Sequence, residues 1–360
     1  MVYSFLINSL HGGGTEKVCL LLAEELTKNG DLVEIYIFDH RPTTPLDDTG
    51  VKYIYLGKKS TLSSFPSLIK LLSTFKSKSV LVFNHELAIM LFLAKKITFS
   101  RIKIISRMNN TFSQTIKFKK YSYRLVMKFL MACFYRYMDF YIFQSKGIKA
   151  DLIDNFSVKG PSIQIPNPVN IPPKELSTVI KKSTKNLLYV GRLVKQKNVL
   201  DILLVFKEMS RFDNDLKLTV VGDGSERKSL ESFCELHSLN NKVSFVGKVD
   251  DVSNYYRDAS LTLLTSFNEG FPNVLLESIA AGTPVVSYDC PSGPSEIVQD
   301  NINGFLVNHL DKNHLKESII NALEFDWDES ILRSSISIYE SSNIVRIYKR
   351  VLLQIESNPS

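Results

Sequence analysis

LTLLTSFNEGFPNVLLESIAAGTPVVS, residues 261–287, sets out a strand, a turn, a helix, a second turn and a second strand in one uninterrupted stretch. Leu261–Leu264 is a short apolar run of the kind buried on both faces of a sheet. Glu269–Gly270 turns the chain. A helical segment then runs from about Asn273 to Ala281 and is closed by Gly282, the residue type best suited to end a helix. A second apolar run follows from Pro284 to Ser287. Two strands joined through a helix read as a parallel pair, because antiparallel neighbours need only a tight hairpin.

The same alternation continues outward. Apolar runs recur at Val2–Ile7, Val33–Phe38, Val80–Phe83, Ile102–Ile105 and Phe140–Phe143, then at Asn186–Val190, Leu216–Val221 and Val243–Val246. Helical segments separate them, such as Glu16–Lys28 with Gly30 at its end. The predicted class is α/β, with two Rossmann-like domains built on parallel sheets, and 360 residues suffice for two cores. Pro161, Pro166, Pro168, Pro172 and Pro173 crowd one stretch that resists regular structure. The expected domains are therefore 1–165 and 186–335, a linker 166–185 between them, and a helix 336–360 that packs locally or crosses back to the first domain. Open parallel sheets bind ligands beyond the carboxyl ends of their strands. Two such sheets predict a site in the cleft between domains, built from loops that follow strands.

Composition narrows the class. The hydrophobic fraction of 44% and charged fraction of 22% are those of a globular protein. Cys19, Cys133, Cys234 and Cys290 are scattered, without a CxxC pair, which argues against a disulfide framework or a zinc site and fits a reducing compartment. Val2–Ile7 is too short for a signal peptide and leads into a glycine loop. Leu125–Phe143 fails as a membrane span because Lys128, Arg136 and Asp139 interrupt it. Residues 1–180 carry 24 basic and 13 acidic side chains, so the first half is strongly basic while the rest is mildly acidic. That asymmetry points to an anionic partner, either a nucleic acid or a membrane surface.

Charged residues after strands carry the chemistry. Glu269 sits in a loop and Glu277 in the helix that follows, where both can accept hydrogen bonds from hydroxyls of one ligand. The start of that helix, with Gly270, Phe271, Asn273, Val274 and Leu275, offers main-chain N–H groups and partial positive charge to a phosphate. Arg192 and Lys197 follow the run Asn186–Val190 and can neutralise a diphosphate. Gly12–Gly13–Gly14 after the first run allows close main-chain approach to a ligand. It is a poor dinucleotide fingerprint, because Lys17 stands where G-x-G-x-x-G needs its third glycine, although Asp39 could mimic the ribose-binding acid.

Taken in order, these motifs resemble the retaining glycosyltransferases of family 4. The resemblance rests on Ser266–Val298 with its Glu-x7-Glu pair, Tyr189–Gly191–Arg192–Leu193 with Lys197, Val221–Gly222–Asp223–Gly224, Pro166–Asn167–Pro168–Val169 and the Gly12–Gly14 loop, and so spans nearly the whole chain. It implies the GT-B fold, with acceptor bound by the first domain and nucleotide-sugar by the second. It further implies transfer of a hexose or N-acetylhexosamine, without a metal or other cofactor, from a nucleotide-diphosphate sugar of UDP rather than GDP type. The acceptor would be a polyprenyl-diphosphate-linked saccharide used in bacterial O-antigen, capsule or exopolysaccharide synthesis. GDP-mannose-dependent transfer is the alternative within the class. By the same resemblance, Arg192 and Lys197 hold the donor diphosphate, Glu269 the donor sugar and Glu277 the nucleotide ribose. The implied location is cytoplasmic, peripheral on the inner face of the membrane.

Three regions are less constrained. Many relatives carry a functional histidine after the fourth apolar run, where this chain reads Ser106–Arg107–Met108–Asn109–Asn110. Arg107 and Asn109, together with Glu16 and His85, are the candidate acceptor contacts. Asp213–Asn214–Asp215 and Asp326–Trp327–Asp328 have the form of metal-holding strings but are badly placed for the cleft, and read as surface turns. Lys117, Lys120, Arg124 and Lys128 recur at helical spacing within 116–137, with Phe118, Leu125 and Phe129 on another face, as expected of a helix lying on an anionic bilayer. The opposing class is a basic nucleic-acid-binding protein, which this chain supports only through its charge: no zinc finger or RNA-recognition motif is present.

Overall fold

The computed structural model describes residues 1–11, 13–39, 50–57, 65–172 and 185–357. The chain divides into two compact units, Met1–Pro168 with Ser341–Ser360, and Val169–Glu340. The expected linker 166–185 is thus split. Residues 166–168 close the first unit and 169–172 open the second, while 173–184 lie outside the described residues. Residues 336–340 stay with the second unit, and only from Ser341 does the chain rejoin the first.

The first unit runs β1 (Val2–Ile7), α1 (Gly14–Lys28), β2 (Leu32–Ile37), β3 (Val51–Tyr55), α2 (Phe65–Leu72), β4 (Ser79–Val82), α3 (His85–Thr98), β5 (Lys103–Met108), α4 (Phe112–Thr115), α5 (Tyr121–Phe134), β6 (Phe140–Phe143), α6 (Lys146–Phe156) and β7 (Ser162–Gln164). Its strands form a parallel sheet in the order β3-β2-β1-β4-β5-β6-β7. Alternate residues of β1 serve opposite faces: Leu6 enters one core cluster, and Tyr3, Phe5 and Ile7 the other.

The second unit runs β8 (Asn186–Val190), α7 (Val199–Met209), β9 (Lys217–Val221), α8 (Arg227–Leu236), β10 (Val243–Gly247), α9 (Ser253–Asp258), β11 (Leu261–Leu264), α10 (Asn273–Ala280), β12 (Val285–Tyr288), α11 (Pro294–Ile297), β13 (Gly304–Val307), α12 (Lys312–Glu324) and α13 (Glu329–Ser335). Its parallel sheet has the order β10-β9-β8-β11-β12-β13. Both units are Rossmann-like. The strands that hydrophobic pattern did not reveal, β3, β7 and β13, all stand at sheet edges. An edge strand is covered less completely and tolerates polar residues, as the half-exposed β3 does.

The last helix, α14 (Ser341–Ser357), packs on the first unit. Ile344, Val345, Tyr348, Val351, Leu352 and Ile355 form its buried stripe, against Val18, Cys19, Leu22 and Leu26 of α1. Polar ties add to this packing. Lys349 Nζ lies 2.6 Å from Asp31 Oδ2, Lys103 Nζ donates to the Ile355 carbonyl at 2.8 Å, and Arg107 Nε donates to Tyr348 Oη at 2.9 Å.

The segment 116–137 is not one helix. Ile116–Phe118 is a 3₁₀ turn, the chain extends at Lys119, and α5 starts at Tyr121. Ile116 is buried. Among the described residues no helix is long and apolar enough to cross a membrane.

Candidate active site

In the second unit, the loops after β8, β9, β11 and β12 close on one another through main-chain contacts. Gly191 N–H donates to Val221 O at 2.9 Å, and Leu193 N–H to Asp223 O at 2.9 Å. Gly222, at φ +133°, lies so close to the loop after β8 that a Cβ there would fall 1.9 Å from the Gly191 carbonyl oxygen. Only glycine fits.

This frame holds a partly buried ion pair. Lys197 Nζ lies 2.5 Å from Glu269 Oε1, and Ser266 Oγ donates to the same oxygen at 2.5 Å. Glu269 is 6% exposed, so its charge is tolerated through these charge-assisted bonds. Neutral groups stitch the two loops that carry the pair. Phe267 N–H donates to Gln196 O at 2.9 Å, Gln196 Nε2 to Asn268 O at 3.0 Å, and Thr265 Oγ1 to Asn198 O at 2.9 Å. The loop after β12 adds Pro291 O, which accepts from Glu269 N–H at 3.3 Å, and Ser292 Oγ, which donates to Gly270 O at 2.9 Å.

Pro272 caps α10, and Asn273 opens its first turn. Such a start carries N–H groups without intrahelical acceptors. The side chains of Phe271 and Leu275 belong to the core, where Phe271 meets Tyr339 edge-on, so the contribution of these positions to a ligand is main chain. Val274 packs against the same cluster. Glu277 stands in the second turn, half-buried, and accepts a hydrogen bond from Tyr256 Oη at 3.0 Å. Burial raises the Tyr256 hydroxyl far above its usual value, reinforced by Glu277, so the phenol remains a donor. Arg192 is exposed and has no ion-pair partner among the described residues.

The corresponding edge of the first unit differs. Gly13 precedes α1, and a Cβ there would lie 2.4 Å from Glu16 Oε2, so the glycine leaves room for that carboxylate over the loop. Gly14 is the first residue of α1, and Gly12 lies outside the described residues. His85 opens α3 with its ring edge-on to Phe112 at 5.0 Å. Its Nε2 is buried without a hydrogen-bond partner among the described residues, and burial lowers its pKa, against Glu86 and with Lys119.

Arg107 is 1% exposed. Its guanidinium donates to Tyr348, Asn109 and Asn167 and lies over the Phe83 ring, while Asn109 donates to the Phe83 carbonyl. These two residues, the expected acceptor contacts, tie β5 to the segment before Pro168 and to α14. The two Asp-x-Asp strings also serve local structure: Asp213 pairs with Lys185 at 2.7 Å, and Asp328 caps α13.

Sequence reading missed Ser266 as a partner of Glu269, although the two are three residues apart. Tyr256 and Gln196 had no local signal, because their partners lie 21 and 72 residues away.

Comparison with known proteins agrees with this architecture. Residues 12–171 match the model described as Glycosyltransferase Family 4, and residues 173–338 that described as Glycosyl transferases group 1. The crystal structure of Anabaena HepE in complex with UDP superposes with a TM-score of 0.77 at 18% identity, covering 98% of this chain and 100% of that one. Fold and matched models together define the class, a two-domain glycosyltransferase of GT-B type. Within it, the chain belongs to the family-4-like glycosyltransferases. A Haemophilus influenzae protein named as an uncharacterized glycosyltransferase is 28% identical over 88% of this chain and 87% of its own length. The Campylobacter jejuni N-acetylgalactosamine-N,N'-diacetylbacillosaminyl-diphospho-undecaprenol 4-alpha-N-acetylgalactosaminyltransferase is 34% identical over 56% of this chain, and the match spans 55% of that enzyme.

Proposed function

We propose that this glycosyltransferase transfers a hexose or N-acetylhexosamine from a UDP-sugar, with retention of anomeric configuration and without a metal, to a polyprenyl-diphosphate-linked saccharide of bacterial surface-polysaccharide synthesis. The observation that carries the reading is the partly buried Lys197–Glu269 pair, fixed by Ser266 in the loop that leads to α10. Lys197 and Arg192 take the donor diphosphate with the α10 N–H groups. Glu269 accepts from hydroxyls of the donor sugar, and Glu277 from the ribose.

In the reaction, the bond from the anomeric carbon to the diphosphate oxygen breaks, and its electron pair leaves with UDP. The acceptor oxygen bonds to that carbon from the same face and passes its proton to the departing phosphate. Negative charge grows on the leaving oxygen, where Lys197, Arg192 and the helix start stabilise it. The UDP complex of the HepE neighbour and the diphospho-undecaprenol acceptor in the name of the Campylobacter relative support this choice of substrates.

Contact with an anionic membrane belongs to the same reading, as does a peripheral, cytoplasmic-face location. On α5, Tyr121, Leu125, Val126 and Phe129 are 71%, 54%, 58% and 63% exposed, while Lys120, Arg124 and Lys128 repeat every fourth residue beside them. Apolar side chains for the interface, flanked by cations for anionic headgroups, suit a bilayer.

The test is release of nucleoside diphosphate from a panel of UDP- and GDP-sugars, with lipid-linked acceptor, with and without EDTA, and NMR of the product anomer. Acceptor-dependent UDP release that survives EDTA and gives a retained anomer is expected. An inverted product, loss of release on chelation, or turnover of GDP-mannose alone would refute the corresponding part.

A further inference from the structure

Tyr256 belongs to no motif singled out in the sequence, yet it touches Glu277. Its ring is 2% exposed, packed with Leu188, Val221 and Ala259 and against Val190, Val246 and Ala281. The main chain around it is also fixed. Tyr256 N–H donates to Val252 O at 3.2 Å, and Thr283 Oγ1 donates to Tyr256 O at 2.6 Å, tying α9 to the turn that follows α10. A ring held in a core cluster has little rotamer freedom, so its hydroxyl is a fixed point. That hydroxyl meets Glu277 Oε2 at 3.0 Å.

Glu277 is half-buried on the second turn of α10, and the Tyr256 hydroxyl is one of its contacts. Ordering a glutamate side chain on ligand binding costs rotamer entropy, and a hydrogen bond already in place, such as that from Tyr256, lowers that cost. We infer that Tyr256 is a positioning residue which holds the Glu277 carboxylate in place for the nucleotide and so sets the preference for ribose over deoxyribose. The inference rests on the proposed ribose contact of Glu277. Tyr256 itself touches no ligand and acts only through the carboxylate.

The experiment measures, by calorimetry on the full chain, the affinities of UDP and of its 2′,3′-dideoxy analogue. If Glu277 reads the ribose, wild type favours UDP by about tenfold, as loss of a charge-assisted hydrogen bond implies. Glu277→Gln then reduces that ratio to near unity. Tyr256→Phe keeps the ring and removes one oxygen; the ratio is expected to fall at least threefold, with KM for donor raised and kcat unchanged. Thr283→Val loosens α9 without touching the hydroxyl, and is expected to keep the wild-type ratio.

Tyr256→Phe with an intact ratio, while Glu277→Gln abolishes it, overturns the role of Tyr256 and leaves that of Glu277 standing. Thr283→Val with the same loss as Tyr256→Phe assigns the effect to packing and also overturns it. An intact ratio in Glu277→Gln, or no preference in wild type, refutes the ribose contact and the inference together.

Discussion

The two parallel sheets end in loops that use cations in opposite ways. In the second unit, Lys197 meets Glu269 in a frame built from four strand-following loops, and Arg192 beside it is exposed. In the first unit, Arg107 is buried at the end of β5, and its donors go to Tyr348, Asn109 and Asn167. Both arginines lie at or just beyond the carboxyl end of a strand. What separates them is the presence of α14. That helix comes from the far end of the chain, covers one face of the first sheet and engages the guanidinium. A cation after a strand can thus stay exposed, as Arg192 does, or be buried by a distant segment, as Arg107 is.

Four experiments sharpen or break that contrast. Glu269→Gln and Lys197→Met should lower kcat by roughly 10²–10³, because the first removes the carboxylate proposed to hold the donor sugar and the second a cation proposed to stabilise the leaving phosphate. Full activity in either variant, measured as UDP release, removes the catalytic half of the comparison. Arg107→Met should leave UDP affinity unchanged but destabilise the protein by about 2–4 kcal/mol, since Asn109, Asn167 and Tyr348 lose their donor. An undisturbed unfolding midpoint with lost acceptor turnover would return Arg107 to the substrate and erase the contrast.

A smaller effect is expected from α5. Replacing Lys120 and Lys128 by Glu should weaken binding to phosphatidylglycerol vesicles by at least fivefold, at about 1 kcal/mol per basic residue, and leave turnover of a soluble acceptor intact. Equal binding to neutral and anionic vesicles would contradict the electrostatic part.

The smallest is a pH effect on the first unit. Burial raises the Asp31 pKa, but hydrogen bonds from Lys349 and the terminal amine outweigh it and leave the group below its usual 3.8. Glu34 is likewise pushed up by burial and drawn lower overall, by Tyr36 and Lys52, from 4.5. Depressed carboxylates contribute stability fully above their unfolded values and lose it as pH falls toward the folded ones. Hydrogen exchange in α14 should therefore quicken as pH drops below about 4, with correction for intrinsic rates. Protection in α14 that does not change over that window would show that the polar tie through Asp31 contributes nothing.

Part of the second unit's candidate site was legible because that part is local. Gly270, Glu269, Asn273 and Glu277 fall within nine residues on one turn and one helix, so spacing alone placed them. The first unit was less so: its edge strands lack full apolar patterning, and nothing local in the sequence marks Arg107 as buried.

By itself, the sequence determined the alternation of strands and helices, the two-sheet class and the loop and helix that carry Glu269 and Glu277, since these depend on periodicity and on glycine at turns. Tertiary structure alone decided that Lys197 rather than Arg192 pairs with Glu269, that Tyr256 meets Glu277, and that α14 engages Arg107. The physical reason is that hydrogen bonds and charge depend on distance in space. Partners 21 to 241 residues apart come within 3 Å only after the core has packed.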